Sequence, residues 1–195
     1  MKKKINLFWE WFASIANLLA PNFENETLLE EIDYKVSSLG NFSWEIGPGK
    51  VKDNSFTLSP NGNVELLKEA KYILSLSPII DNWELHFAKQ RKEWDFIFHL
   101  KQNNIEKPFD AKKWKYVLFE FDDKTFDIII ESPDLMVLNE DDRYYAVQIA
   151  LDGALGEEDR INKIKNIEIV TNAAAYKSQL SKFENLFDHF TSISK

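Results

Sequence analysis

WELHFAKQRKEWDFIFHL at residues 83–100 and WKYVLFEFDDKTFDIII at residues 114–130 decide the fold. In the first stretch Trp83, Leu85 and Phe87 alternate with Glu84 and His86, and Phe96, Phe98 and Leu100 alternate with Ile97 and His99, the period of a β-strand. Burying both apolar sets on one face needs an even-length connection, which Gln90-Arg91-Lys92-Glu93 supplies. The spacing therefore predicts a hairpin with Glu84 across from His99. In the second stretch, strands at 114–121 and 126–130 meet around a turn at Asp123-Lys124. Val117, Phe119, Phe121, Phe126, Ile128 and Ile130 line one face, and Leu118 and Ile129 the other. Strands that are apolar on both faces belong in the middle of a covered sheet.

Working outward, Phe42, Trp44 and Ile46 alternate ahead of the turn-rich stretch 47–54, and Phe56 and Leu58 alternate after it, predicting a further hairpin. Helices are expected at the N-terminus, ended by Pro21, at 26–39, stopped by Gly40, and at 64–76. Further on, a buried helix at 140–152 lies between Asn139 and Gly153, followed by a short helix at 157–163, a strand at 167–170 and a last helix at 173–190. This order lacks strict strand–helix alternation. It predicts one α+β domain over 1–195 with a mainly antiparallel sheet of about seven strands flanked by helices: a helical part at 1–40, a hairpin-rich sheet at 41–131 and a helical part at 139–190.

The N-terminal Met1-Lys2-Lys3-Lys4 ahead of an apolar stretch resembles a secretory signal in outline. Glu10 breaks that run, however, and Ile5, Phe8, Phe12, Ile15 and Leu19 recur at helical spacing, so an amphipathic helix packed on its own domain is expected. Lying on a membrane surface with Trp9 and Trp11 is the other use of such a helix. No run suits a membrane span. With no cysteine, disulfide and thiolate chemistry are out, and the cytoplasm is the expected compartment. The 195 residues include 15 Phe, 6 Trp and 6 Tyr for a core, and 32 acidic against 24 basic residues give a net charge of −8. Such a surface disfavours nucleic acid and favours a basic protein partner.

The stretches Trp44-Glu45-Ile46-Gly47-Pro48-Gly49, residues 59–67 (SPNGNVELL) and residues 151–158 (LDGALGEE) resemble segments of small uncharacterised bacterial domains. The resemblance implies a bacterial intracellular protein with no established activity, and it transfers no site residue.

Several constellations invite chemistry. Gly47-Pro48-Gly49-Lys50 lacks both the leading Gly and the trailing Ser or Thr of a phosphate loop, so a hairpin connection is expected. Gly153 and Gly156 follow no strand and fit no dinucleotide fingerprint, and no serine sits in a nucleophile elbow. The hairpin register over 83–100 gathers Glu84, His86, Asp95 and His99 on one polar face, a set suited to zinc, iron or manganese. Asp152, Glu157 and Glu158 form a second carboxylate cluster, either a cation or acid–base site, or a helix stop followed by an acidic first turn. Glu120 and Asp127 fall opposite each other in the second hairpin, so a bridging Lys, a cation or a slipped turn must relieve them. His189 is expected to be a surface or hydrogen-bonded residue. Tyr176, Leu180, Phe183, Phe187 and Phe190 form a stripe that docks on the chain's own sheet, a partner or a second copy. Two functions follow: a non-enzymatic cytoplasmic interaction protein, adaptor or immunity-type partner of a basic protein, needing no cofactor; or a metal-dependent hydrolase using Glu84, His86, Asp95 and His99 with zinc or manganese.

Overall fold

The computed structural model describes residues 1–20, 23–102 and 105–194. The chain divides into two compact units, Met1–Lys89 and Gln90–Lys195, and the boundary falls inside the 83–100 stretch, where composition shows no linker. The α+β class holds, but in place of one seven-stranded sheet the strands form three small sheets.

The first unit runs α1 (Lys2–Leu19), α2 (Glu26–Leu39), β1 (Ser43–Pro48), β2 (Asn54–Ser59), α3 (Val64–Ser75) and β3 (Trp83–His86). Asparagine caps start both later helices: Asn25 accepts the Leu28 N–H, and Asn63 accepts those of Glu65 and Leu66. α1 ends ahead of Pro21, which lies outside the described residues. Its Ile5, Phe8, Trp9, Phe12, Ile15 and Leu19 are buried in the core of this unit, where Phe12 meets the rings of Phe56 and Trp83 at 4.8 and 5.3 Å. The apolar stripe of α1 is thus packed in the core of its own unit, while Trp11 is half-buried. β1 and β2 form the expected hairpin, with Trp44 opposite Leu58 and Ile46 opposite Phe56.

β3 is where expectation fails. It pairs parallel to β2, with Phe56 opposite Leu85 and Thr57 opposite His86, through a crossover that α3 supplies. The hairpin between 83–87 and 96–100 does not form. Alternation had fixed which side chains face inward, and Trp83, Phe98 and Leu100 are indeed buried, but alternation does not choose the partner strand.

The second unit contains β4 (Ile97–Gln102), β5 (Ile105–Asp110), β6 (Lys115–Glu120), β7 (Phe126–Glu131), α4 (Glu140–Leu155), α5 (Glu157–Lys163), β8 (Ile164–Val170), β9 (Ser181–Lys182) and α6 (Leu186–Ile193). β4 pairs with β5, a strand that Pro108 had concealed. The other sheet has the order β8-β7-β6-β9. β6 and β7 are its two central strands, as their two-sided apolar pattern required. Their register differs by one from the expected one: Phe119 faces Asp127, and Glu120 faces Phe126. The turn slips because Lys124 adopts positive φ (61°) and Asp123 accepts from Thr125, which parts Glu120 from Asp127. Lys124 and Asn166 then partner Glu120 and Asp127 respectively.

α4 lies on one face of this sheet, with Ala146, Val147, Ala150 and Leu151 fully buried against a core that includes Phe126, Ile128 and Ile130. It runs through Gly153, the expected stop, and ends at Gly156, whose φ of 88° suits glycine. Gly153 instead admits the Trp94 ring: a Cβ there would sit 2.5 Å from Trp94 Cζ2. The expected last helix at 173–190 is broken, since β9 pairs with Lys115 and Tyr116 before α6 begins. The stripe divides accordingly. Tyr176 packs edge-on to Phe119, whereas Phe183 and Phe190 enter the core.

Candidate functional site

The four residues proposed to hold a metal stand on different ladders. Glu84 and His86 lie on β3 of the first unit, and Asp95 and His99 lie before and on β4 of the second. The pairing that was to gather them is absent, and with it the reason for grouping them. Among the described residues no three His, Asp or Glu side chains cluster in a way that could hold a metal ion.

Glu84 has a local task. Its carboxylate accepts the backbone N–H groups of Lys50 (2.7 Å), Val51 (2.9 Å) and Lys52 (3.3 Å), and His86 Nε2 lies 3.3 Å away. These bonds, that from Lys50 foremost, hold the Glu84 carboxyl down at about 2 against the opposing effect of burial. The loop after Gly47-Pro48-Gly49 is therefore a backbone nest for an anion, filled by the chain's own side chain. Gly49 is required there, because a Cβ would meet Lys52 O at 2.4 Å. Asp95 likewise turns inward to its own backbone, accepting the Ile97 N–H at 3.1 Å, and His99 is exposed on β4 opposite Pro108.

Asp152 and Glu157 of the second cluster are brought together, at the α4–α5 junction, around a cation that the carboxylate spacing had not revealed. Arg160 bonds Asp152 through Nε, and its Nη2 lies 4.0 Å from Glu157 Oε1. All three are buried, Asp152 7%, Glu157 1% and Arg160 6% exposed, whereas Glu158 is only half-buried beside them. A buried guanidinium between two carboxylates offsets part of their charge in place and ties α4 to α5. His189 is half-buried, with Nδ1 2.8 Å from the Tyr116 hydroxyl. Burial lifts that hydroxyl to about 12.

A surface feature that the sequence reading passed over lies between α4 and β8. Among the described residues β8 is the end strand of its sheet, paired on one side with β7. Its Ile167 and Ile169 stand level with Ile128 and Ile130 and carry the core's apolar face out to the sheet edge. Together with Glu140, Arg143 and Tyr144 of α4 they line an open cleft of about 170 Å³. Tyr144 and Tyr145 project into solvent, 44% and 55% exposed, although the sequence had placed Tyr145 within a buried run. Glu140 and Asp141 are exposed in the first turn of α4, whose cap Asn139 accepts the Asp142 N–H at 2.9 Å. Arg143 folds back, its Nη1 3.2 Å from Met136 Sδ and its Nε 3.4 Å from Asn139 O. The available signal was the pair of adjacent tyrosines at the start of an otherwise alanine-rich helix.

Compared with protein-family models, with curated proteins and with solved structures, the chain matches none. No helix among the described residues is long and apolar enough to cross a membrane.

Proposed function

We propose that this chain is a non-enzymatic, cytoplasmic interaction protein, an adaptor or immunity-type partner that binds a basic protein. What supports this most is where the ionisable groups are spent. Buried carboxylates Asp152 and Glu157 are matched to Arg160, and Glu84 is consumed by backbone donors, so the titratable groups in protected sites serve the fold. The surplus that makes the net charge −8 is on the surface, with Glu140 and Asp141 near exposed Tyr144 and half-buried Ile167 at an open sheet edge. Acidic surface around aromatic contact area steers and then holds a basic partner. The test is to cross-link the partner in the source cell at low salt, purify it and measure its affinity at rising ionic strength. Affinity is expected to fall steeply toward about 0.5 M salt, where charges more than a few ångströms apart are screened. Salt-independent affinity, or an acidic partner, contradicts the proposal.

A further inference from the structure

Resting on that reading, we propose that the partner contributes an extended basic segment that adds as a further strand to the free edge of β8 and lies in the groove beside α4. The edge carries the argument. β8 spans Ile164–Val170, seven residues paired on one side only, so its outward backbone N–H and C=O groups lack a strand partner among the described residues. Most other edges are blunted. β5 contains Pro108 beside Lys107, β1 ends in Gly47-Pro48, β3 has four residues and β9 has two, while β4, six residues without proline, carries the exposed His99 and Lys101. β8 contains no proline, and its Ile167 and Ile169 meet Tyr144 across a cleft open to solvent.

An added strand presents alternate side chains to the two faces of the sheet. One set would enter the cleft between Tyr144 and the two isoleucines and must be apolar. Charge selects the rest: Glu140 lines the cleft, exposed Asp141 follows it in the first turn of α4 and exposed Glu168 lies on β8 itself, against Lys165 and Arg143, and Arg143 is folded back on its own helix start. The ligand class is thus a peptide segment alternating β-branched residues with Lys or Arg. A second copy of the chain is the less suitable occupant, because it too brings a net charge of −8.

The probe is a fluorescein-labelled octapeptide of alternating Lys and Val, titrated into the full chain at low salt and followed by anisotropy. Its twin has the amides of one edge N-methylated, which keeps charge and side chains but removes strand pairing. The unmodified peptide is expected to bind at least about tenfold more tightly than the twin, because backbone hydrogen bonds supply the affinity of this mode. Tyr144→Ala should weaken it about fivefold, the size of a contact-residue truncation, and Glu140→Lys with Asp141→Lys should weaken it further while flattening the salt dependence. Equal binding of both peptides, or binding untouched by these exposed substitutions, overturns the groove while leaving a basic partner in place elsewhere. No binding at millimolar peptide, or a sedimenting dimer that excludes the peptide, also overturns it. If the cross-linked partner itself proves acidic or salt-independent, the functional reading fails first.

Discussion

Replacing Arg160 by methionine keeps most of the side chain's volume and removes the charge between two buried carboxylates. Arg160 Nη2 and Glu157 Oε1 are 4.0 Å apart, a separation at which unit charges interact by about 4 kcal/mol at an effective dielectric constant near 20. The Asp152 contact is closer still. Desolvation of the guanidinium is recovered in the variant, so the net loss for stranding buried partners is about 3–5 kcal/mol, much of a typical total of about 5–15. Urea unfolding followed by tryptophan fluorescence should show the midpoint of the second unit falling by roughly 2 M, taking a slope of about 2 kcal/mol per M. Replacing all three residues by apolar ones of similar size should recover most of the loss. A variant within about 1 kcal/mol of the parent would refute the structural role of this cluster and reopen it as a functional site.

Other substitutions separate competing effects. Gly153→Ala ought to gain about 1 kcal/mol from helix propensity, but its Cβ would meet Trp94 at 2.5 Å. Overpacking of about 1–3 kcal/mol should win, and thermal melting is expected to drop by a few degrees. Phe98→Asp should unfold the second unit, since Phe98 is 8% exposed and stands against Trp114, whereas exposed His99→Asp should stay within about 0.5 kcal/mol of the parent by circular dichroism. Glu84 is held at about 2 from an ordinary 4.5. A depressed carboxyl stabilises the fold above the unfolded value and loses that contribution as pH falls through the folded one. Acid unfolding of the parent should therefore include a component between pH 4.5 and 2 that Glu84→Gln abolishes.

Local signals were read from the sequence where one side chain closes one element. Gly40 stops the helix at 26–39, Asn139 starts α4, and the two-sided apolar pattern of 114–130 placed β6 and β7 at the centre of their sheet, whereas the caps Asn25 and Asn63 went unread. Pairing was less accessible. Trp83, Leu85 and Phe87 want a buried face, and the first unit offers one beside β2, so an inward alternation is satisfied without the hairpin. A conflict between Glu120 and Asp127 did announce the slipped turn, but whether lysine, cation or slippage relieved it depended on Lys124 taking positive φ. At the second carboxylate cluster Arg160 was in plain sight three residues after Glu157. Its role became visible only once Gly156, and not Gly153, ended α4 and brought Asp152 into reach. The cleft beside β8 was invisible because it is made by residues more than twenty positions apart.

Amide hydrogen exchange along Ile164–Val170, with and without the bound basic partner, tests the free-edge docking most directly. In the free chain the amides of β8 that point away from β7 should exchange like exposed backbone, while those bonded to β7 are slow. Binding should slow the outward set by at least about tenfold and leave β5 unchanged. Outward amides already slow in the free chain, or unchanged in a complex that has demonstrably formed, would contradict docking at this edge.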